Sequence, residues 1–418
     1  MTGSAKRRTA PLAKRLASWA AGLRPTDDDL RLAHRSLHDT VAVTLAARDH
    51  PVRLLADALP DAARWAAVGH VLDFDDLHMA STTHLSVACV PATLASAGGS
   101  AAYLAGAGVT ARLGMALGWE HYSRGWHATC TAGAPGAAVS AGVSLGLTRE
   151  QLAHAIALAV PGAGGLQRAF GTDGKSLQVG FAVDAGVRAA RLALAGATAD
   201  PAVLDDWLAL VGGDPHTDVE TQPAVPGGLA VKLFPCCYAL QRPISAVRQL
   251  VPSVVSRSDV ARLRVHTSSS SVHPLVHDRP RTGLEGKFSL RYGIAAAVLD
   301  PYPDFASFTD AAVDRSEARQ LMSRVAVTVA DAGPGLLDGE VRIEIERTDG
   351  TTVETTLRTP PGAPELPPTP EQLDAKAAAC GDDVPALVAD LDWQAAARLM
   401  RATLPAQDTA ATMPSGVT

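Results

Sequence analysis

From Asp28 to about Leu210 the apolar residues of this chain recur three and four positions apart; after about residue 230 they alternate. The first spacing belongs to helices that bury one face, the second to strands. Leu30, Ala33, Leu37 and Val41 fall on one such helix face. Further helical stretches are predicted around 60–71, 84–97, 100–118, 133–145, 149–160 and 175–197. They are punctuated by Gly98-Gly99, Pro135-Gly136 and the run Pro161-Gly162-Ala163-Gly164-Gly165. Hydrophobic residues are 47% and aromatics only 4%, so the apolar content rests on Ala, Val and Leu. Small side chains of this kind suit closely spaced helices.

Past residue 230, Leu263 and Val265 alternate with Arg262, Arg264 and His266, and Val325, Val327 and Val329 alternate too. Val341, Ile343 and Ile345 alternate with Arg342, Glu344 and Glu346, and Thr348-Asp349-Gly350 then leads into a second run. Asp-Gly supplies the positive-φ residues of a hairpin turn. The expected fold class is therefore mainly α: a large many-helix domain plus a smaller α+β lid domain. The boundaries expected are a helical domain over 1–231, a lid over 232–365, a return to the helical domain over 366–406, and a disordered tail over 407–418. Within this scheme the Pro-rich segment 360–370 reads as an exposed linker.

Charge and cysteine usage exclude several function classes. With 37 Lys+Arg against 43 Asp+Glu the net charge is −6, which offers no footprint for nucleic acid. Cys89, Cys130, Cys236, Cys237 and Cys380 are scattered and odd in number, which argues against a disulfide framework and for a reducing cytoplasm. Nor does Cys236-Cys237 have a second pair with which to complete a zinc or iron–sulfur set. The basic N-terminus lacks an apolar stretch ahead of a cleavage site and reads as a frayed tail entering an amphipathic helix, with a transit peptide as the lesser alternative. Residues 87–111 are uncharged but rich in Ala, Gly and Ser, so buried helices are favoured over a membrane span.

Four polar clusters stand out on this apolar background. Asp73-Phe74-Asp75-Asp76-Leu77-His78, followed by Thr82-Thr83-His84, gathers carboxylates and histidines suited to acid–base work or to a metal. Its plainer reading is a capped helix end. His127 follows Gly125-Trp126 ahead of a small-residue helix, where a structural or capping histidine is the commoner case. Lys175, taken alone, would be a surface residue. Lys232-Leu233-Phe234-Pro235-Cys236-Cys237 would be a hinge with a buried thiol pair.

Taken together and in this order, the clusters resemble the MmgE/PrpD family, which includes 2-methylcitrate dehydratases and cis-aconitate decarboxylases. The resemblance runs from about Leu30 to Leu399. It rests on Asp73-Phe74-Asp75-Asp76 with Thr83-His84, Gly125-Trp126-His127, Lys175 with Gly180, Lys232 with Pro235-Cys236-Cys237, and Pro280 with Thr282-Gly283-Leu284-Glu285-Gly286-Lys287-Phe288-Ser289. It implies a homodimer with the active site in a cleft between helical domain and lid. It also implies a small polycarboxylate substrate and proton removal beside a carboxylate, with no metal and no organic cofactor. Carried over by residue, it implies that Asp73, His84, His127, Lys175, Lys232 and Tyr292 line the site; His84, His127, Asp73 and Lys175 are expected as catalytic, and Lys232 and Tyr292, with Gln178 and Gln241, as substrate-binding.

Residue chemistry fits those roles. Histidine both accepts and returns a proton near neutral pH. Two lysines, expected to reach the substrate from opposite sides of the cleft, would stabilise enolate-like charge. Asp75 or Asp76 is expected to cap the following helix while Asp73 points into the site. The chain departs from the family pattern at Leu77, where Thr is usual, and at Gln178 and Gln241, where His is usual; glutamine cannot titrate. The expected function is a cofactor-independent lyase of dehydratase or decarboxylase type acting on a small di- or tricarboxylate. Two other readings stay open: an epimerase of an iminodisuccinate-like dicarboxylate, which needs one proton removed and returned, and a non-catalytic carboxylate-binding homodimer.

Overall fold

A computed structural model describes residues 10–219, 222–253, 259–331, 333 and 335–406. Most of the basic N-terminal tail and the tail over 407–418 lie outside the described residues. The helical part runs through α1 (Leu12–Gly22), α2 (Asp27–Ala46), α3 (Asp61–Val71), α4 (Ser86–Ala95), α5 (Ser100–Ser123), α6 (Ala128–Ser144), α7 (Arg149–Ala159), α8 (Asp173–Leu194) and α9 (Val203–Val211). Thr26 and Asp29 form a capping box at the start of α2, and Thr148 and Gln151 form another on α7.

Helices α6 and α8 lie at the centre: α6 packs on α4, α5, α7 and α8, and α8 packs on α3 and α7 as well. Small residues make this possible. A Cβ on Gly186 of α8 would stand 2.3 Å from the Ala134 carbonyl oxygen of α6. Pro135-Gly136, predicted as a break, instead lies inside α6, where every residue from Ala128 to Gly142 is buried. Tertiary packing on all sides outweighs the hydrogen bond that the proline forgoes. Gly136 is needed there because its missing Cβ is replaced by the Thr110 side chain of α5.

The α+β part contains α10 (Tyr238–Leu250), β1 (Val260–Ser268), α11 (Leu290–Leu299), α12 (Ser316–Arg324), β2 (Val325–Ala330), β3 (Val341–Arg347) and β4 (Thr352–Leu357). The sheet order is β2-β1-β3-β4, with β1 and β2 parallel and the other pairs antiparallel. Gly350, at φ 84°, turns the β3–β4 hairpin. Leu263, Val265, Ile343 and Ile345 face a core shared with Ile244, Val247 and Ile294 of α10 and α11.

The chain then forms α13 (Pro370–Ala379), a short helix Val384–Val388, and α14 (Trp393–Thr403). These pack on α2, and α14 also on α4, so Val388, Ala396, Met400 and Leu404 join the core that holds Leu37 and Val41. The start of the Pro-rich segment is not an exposed linker. Ala363 is buried, and Gly362 accepts a hydrogen bond from Val231 N–H at 2.8 Å, an approach that a Cβ would block. All five thiols are free and buried. Among the described residues no helix is long and apolar enough to cross a membrane.

Candidate active site

The loop between α3 and α4 is held in a fixed shape by its own polar groups. Leu77 and Ala230 exchange both backbone hydrogen bonds, at 3.0 and 2.8 Å. His78 is committed to the loop, with Nδ1 2.7 Å from Ser81 Oγ and Nε2 2.5 Å from the Pro226 carbonyl. Asp76 accepts the Ser86 N–H at 3.2 Å and the Ser86 hydroxyl, capping the start of α4. Burial pushes the Asp76 carboxyl up to about 7.

Asp73 follows the end of α3 in a left-handed conformation, at φ 54°. Its Oδ1 accepts from Lys175 Nζ at 3.0 Å and from Lys232 Nζ at 2.8 Å, and Lys232 also donates to the Asp73 carbonyl at 2.9 Å. Burial alone would raise this carboxyl, but the two ammonium groups outweigh it and hold it below the usual carboxylate range. Its Oδ2 is buried with no protein partner. The two lysines therefore do not grip from opposite sides of a cleft. Both converge on one oxygen of Asp73, because two buried cations need an anion between them. Lys175 faces the cavity described below, whereas Lys232 is fully buried behind Asp73.

Lys175 also reaches a second chain of groups. Its Nζ lies 2.7 Å from His70 Nε2, and His70 Nδ1 lies 2.7 Å from Asp75 Oδ2. The same Asp75 oxygen is 3.0 Å from His84 Nδ1. An ammonium can only donate, so His70 Nε2 accepts and Nδ1 carries the proton turned to Asp75. Burial lowers His70 to about 4 and lowers His84 as well, with Asp75 opposing both shifts. Burial would raise Asp75, but the two imidazoles outweigh it and hold it well below its usual value.

His127, just ahead of α6, and Gln178 on α8 complete the cluster, with Gln178 Nε2 2.7 Å from His127 Nδ1. Burial, followed by His70 and Lys175, holds His127 well below its usual pKa. A small cavity opens on Asp73, His84, His127 and Lys175. Leu77, Phe170, Phe288 and Leu336 add apolar surface to it, the Phe170 and Phe288 rings lying 5.6 and 5.4 Å from the Lys175 ammonium.

Of the residues expected at the site, the structure brings Asp73, His84, His127, Lys175, Lys232 and Gln178 together. Tyr292 and Gln241 are elsewhere. Tyr292 is fully buried in the core of the α+β part, where its hydroxyl donates to the Ser307 carbonyl. Gln241 accepts from the N–H groups of Leu233 and Phe234, both at 3.0 Å, and returns a bond to the Phe234 carbonyl at 2.8 Å. It folds the turn behind Lys232 and does not line the cavity. Two residues were missed. His70 stands one helical turn before Asp73, a spacing that marks the same face. Lys287 lies in the quoted segment 280–289; its ammonium donates to the Leu72 and Pro235 carbonyls, and burial lowers it to about 8.

His70, Asp75 and His84 offer ligand atoms within 4.8 Å of one another, which is the spacing of a metal site. The nitrogens nearest Asp75 are turned to its carboxylate, and the Lys175 ammonium lies against the far side of His70. His70 thus spends both ring nitrogens on Asp75 and Lys175, and a cation lies beside the set.

Comparison with known proteins gives the same picture across both halves. The MmgE/PrpD N-terminal domain profile matches residues 56–211 and the MmgE/PrpD C-terminal domain profile matches 234–400. The chain is 29% identical over 288 residues to a cis-aconitate decarboxylase of Aspergillus terreus, covering 62% of this chain and 58% of that protein. A human cis-aconitate decarboxylase is 25% identical, and the match again spans 58% of its length. A cis-aconitate decarboxylase-like protein of Aspergillus oryzae, oryM, is 26% identical over 83% of this chain and 86% of its own.

Proposed function

The chain belongs to the MmgE/PrpD family, and on that premise we propose that it is a lyase of dehydratase or decarboxylase type acting on a small di- or tricarboxylate. The observation that carries this reading is the disposition of His84. It faces the cavity with Asp75 behind its Nδ1, beside a lysine that the same cavity exposes. A carboxylate at Nδ1 keeps the proton there and leaves the Nε2 lone pair for a substrate proton. In the proposed reaction a substrate carboxylate lies against Lys175, and His84 Nε2 exchanges the proton on the neighbouring carbon. Negative charge then develops on that carboxylate as an enolate-type system, where the ammonium stabilises it. In dehydration, hydroxide leaves as water after receiving a proton; in decarboxylation, the bond to carbon dioxide breaks and the carbon takes the proton. These steps use side chains alone, so we propose that no cofactor takes part; from membership of the family we propose that the working unit is a homodimer.

The test is a panel of polycarboxylates, cis-aconitate included, incubated with the protein in deuterated water and followed by proton NMR. Loss of carbon dioxide with label at one carbon of the product, or loss of water to give an alkene, is expected. Label washed into recovered substrate of inverted configuration, with no new product, would identify an epimerase instead. Binding without exchange or product would leave only the carboxylate-binding reading.

A further inference from the structure

We propose that Gln178 is a positioning residue that locks His127 as the neutral tautomer protonated on Nε2. His127 then presents a hydrogen-bond donor to the cavity and leaves proton removal to His84. The orientation of the Gln178 amide is set by the backbone. Its Oε1 accepts from Leu166 N–H at 2.9 Å, and its Nε2 donates to the Leu166 carbonyl at 3.2 Å. Turning the amide over would set donor against donor and acceptor against acceptor at Leu166. The nitrogen is thus the atom 2.7 Å from His127 Nδ1, and an amide nitrogen only donates. Nδ1 must carry its lone pair, and the ring proton must sit on Nε2.

A second group is compatible with this choice. Cys130 Sγ lies 3.2 Å from His127 Nδ1, and burial pushes its thiol up, so it keeps an S–H that can turn to the Nδ1 lone pair. The loop holding Leu166 is itself pinned. His127 N–H donates to the Gly165 carbonyl at 2.9 Å. Gly165 sits at φ +131°, where a Cβ would stand 2.6 Å from Cys130 Cβ. A second proton on Nδ1 would meet the Gln178 amide donor, in surroundings that contain His70, Lys175 and His84 as well as Asp73. His84 is wired the opposite way, since the Asp75 carboxylate beside its Nδ1 only accepts. Two imidazoles in one cavity are therefore given opposite roles by their neighbours, one to take a proton and one to offer a hydrogen bond.

The tautomer follows from the contacts alone; its catalytic use rests on the lyase reading above. The test is ¹⁵N NMR of the full chain labelled at histidine, with a His127→Asn variant to assign the resonance. A neutral Nε2–H pattern for His127 is expected across neutral pH. Gln178→Glu replaces the donor by an acceptor while keeping the bond to Leu166 N–H. It should move the ring proton to Nδ1, bring the His127 titration up in pH, and lower kcat by about 10-fold or more with a smaller effect on KM. An Nδ1–H or doubly protonated His127 in the parent protein overturns the proposal, as does a Gln178→Glu spectrum with the tautomer unmoved. A tautomer that switches with kcat and its pH profile unchanged overturns the donor role. If none of the polycarboxylates reacts, the lyase reading fails while the spectrum still decides the tautomer.

Discussion

Two ammonium groups on one oxygen of Asp73 set the electrostatics of the site, because they keep that carboxylate charged and leave Lys175 facing the cavity. In the proposed reaction a substrate anion would meet a lysine whose charge is already partly balanced, while His84 would take the proton. His84→Ala should lower kcat by about 100-fold or more with the fold intact. A variant within a few-fold of the parent, measured on any substrate that the panel reveals, would remove His84 from this role. Tyr292 makes the contrasting case. Its hydroxyl donates to the Ser307 carbonyl and lies beside Arg315, inside the α+β core. Tyr292→Phe should leave kcat and KM within about two-fold and cost about 1 kcal/mol of stability in a denaturant melt.

The helices that carry these residues are positioned by closeness rather than by bulk. His127 precedes α6, and Lys175 and Gln178 lie in the first turns of α8, so the separation of the two helices fixes the cluster. Gly186 lets them touch. A methyl there would meet the Ala134 carbonyl at 2.3 Å and Ala137 Cβ at 2.8 Å, and backbone cannot yield as a side-chain tip does. Gly186→Ala should therefore destabilise the protein by about 1–3 kcal/mol and lower activity as well; a melting temperature equal to the parent's would contradict this. Periodicity alone made these helices and the four strands legible, because a buried face imposes its spacing on the sequence. It misjudged Pro135-Gly136, since local propensity reports nothing of the neighbours that surround α6. The same limit applies to Tyr292 and Gln241. A sequence motif shows that a residue type is present, and only the packing shows which way its polar atom turns.

At the scale of the whole chain, the site loop is tied to segments hundreds of residues away. Lys376 of α13 donates to the Phe74 carbonyl at 2.9 Å and pairs with Asp39 of α2 at 2.6 Å. No spacing rule reaches that far, which is why His84, His127, Lys175 and Lys232 were legible as a set while their connections were not. Asp76 sits beside this tie, and its carboxyl is raised from 3.8 to about 7 by burial, with Asp39 and Asp75 adding to the shift and the bonds from Ser86 opposing it. The unfolded chain ionises this group near its ordinary value, the folded chain only near 7. Between those limits the folded state holds more protons, so this contribution is complete below about pH 4, falls as pH rises through 7, and changes no further above it. Asn at the same position cannot titrate. Its oxygen can still accept from Ser86 N–H, and its amide can donate to Ser86 Oγ, whose own proton can turn to the Tyr103 hydroxyl 2.8 Å away. Asp76→Asn should therefore gain on the parent as pH is raised. The difference in melting temperature should become steadily more favourable to the variant from pH 4 to pH 7 and then level off. Thermal melts of both proteins in matched buffers across that range decide the matter: a difference that is flat, or that turns against the variant as pH rises, would mean that Asp76 is ionised in the fold and that its Ser86 contacts outweigh its burial.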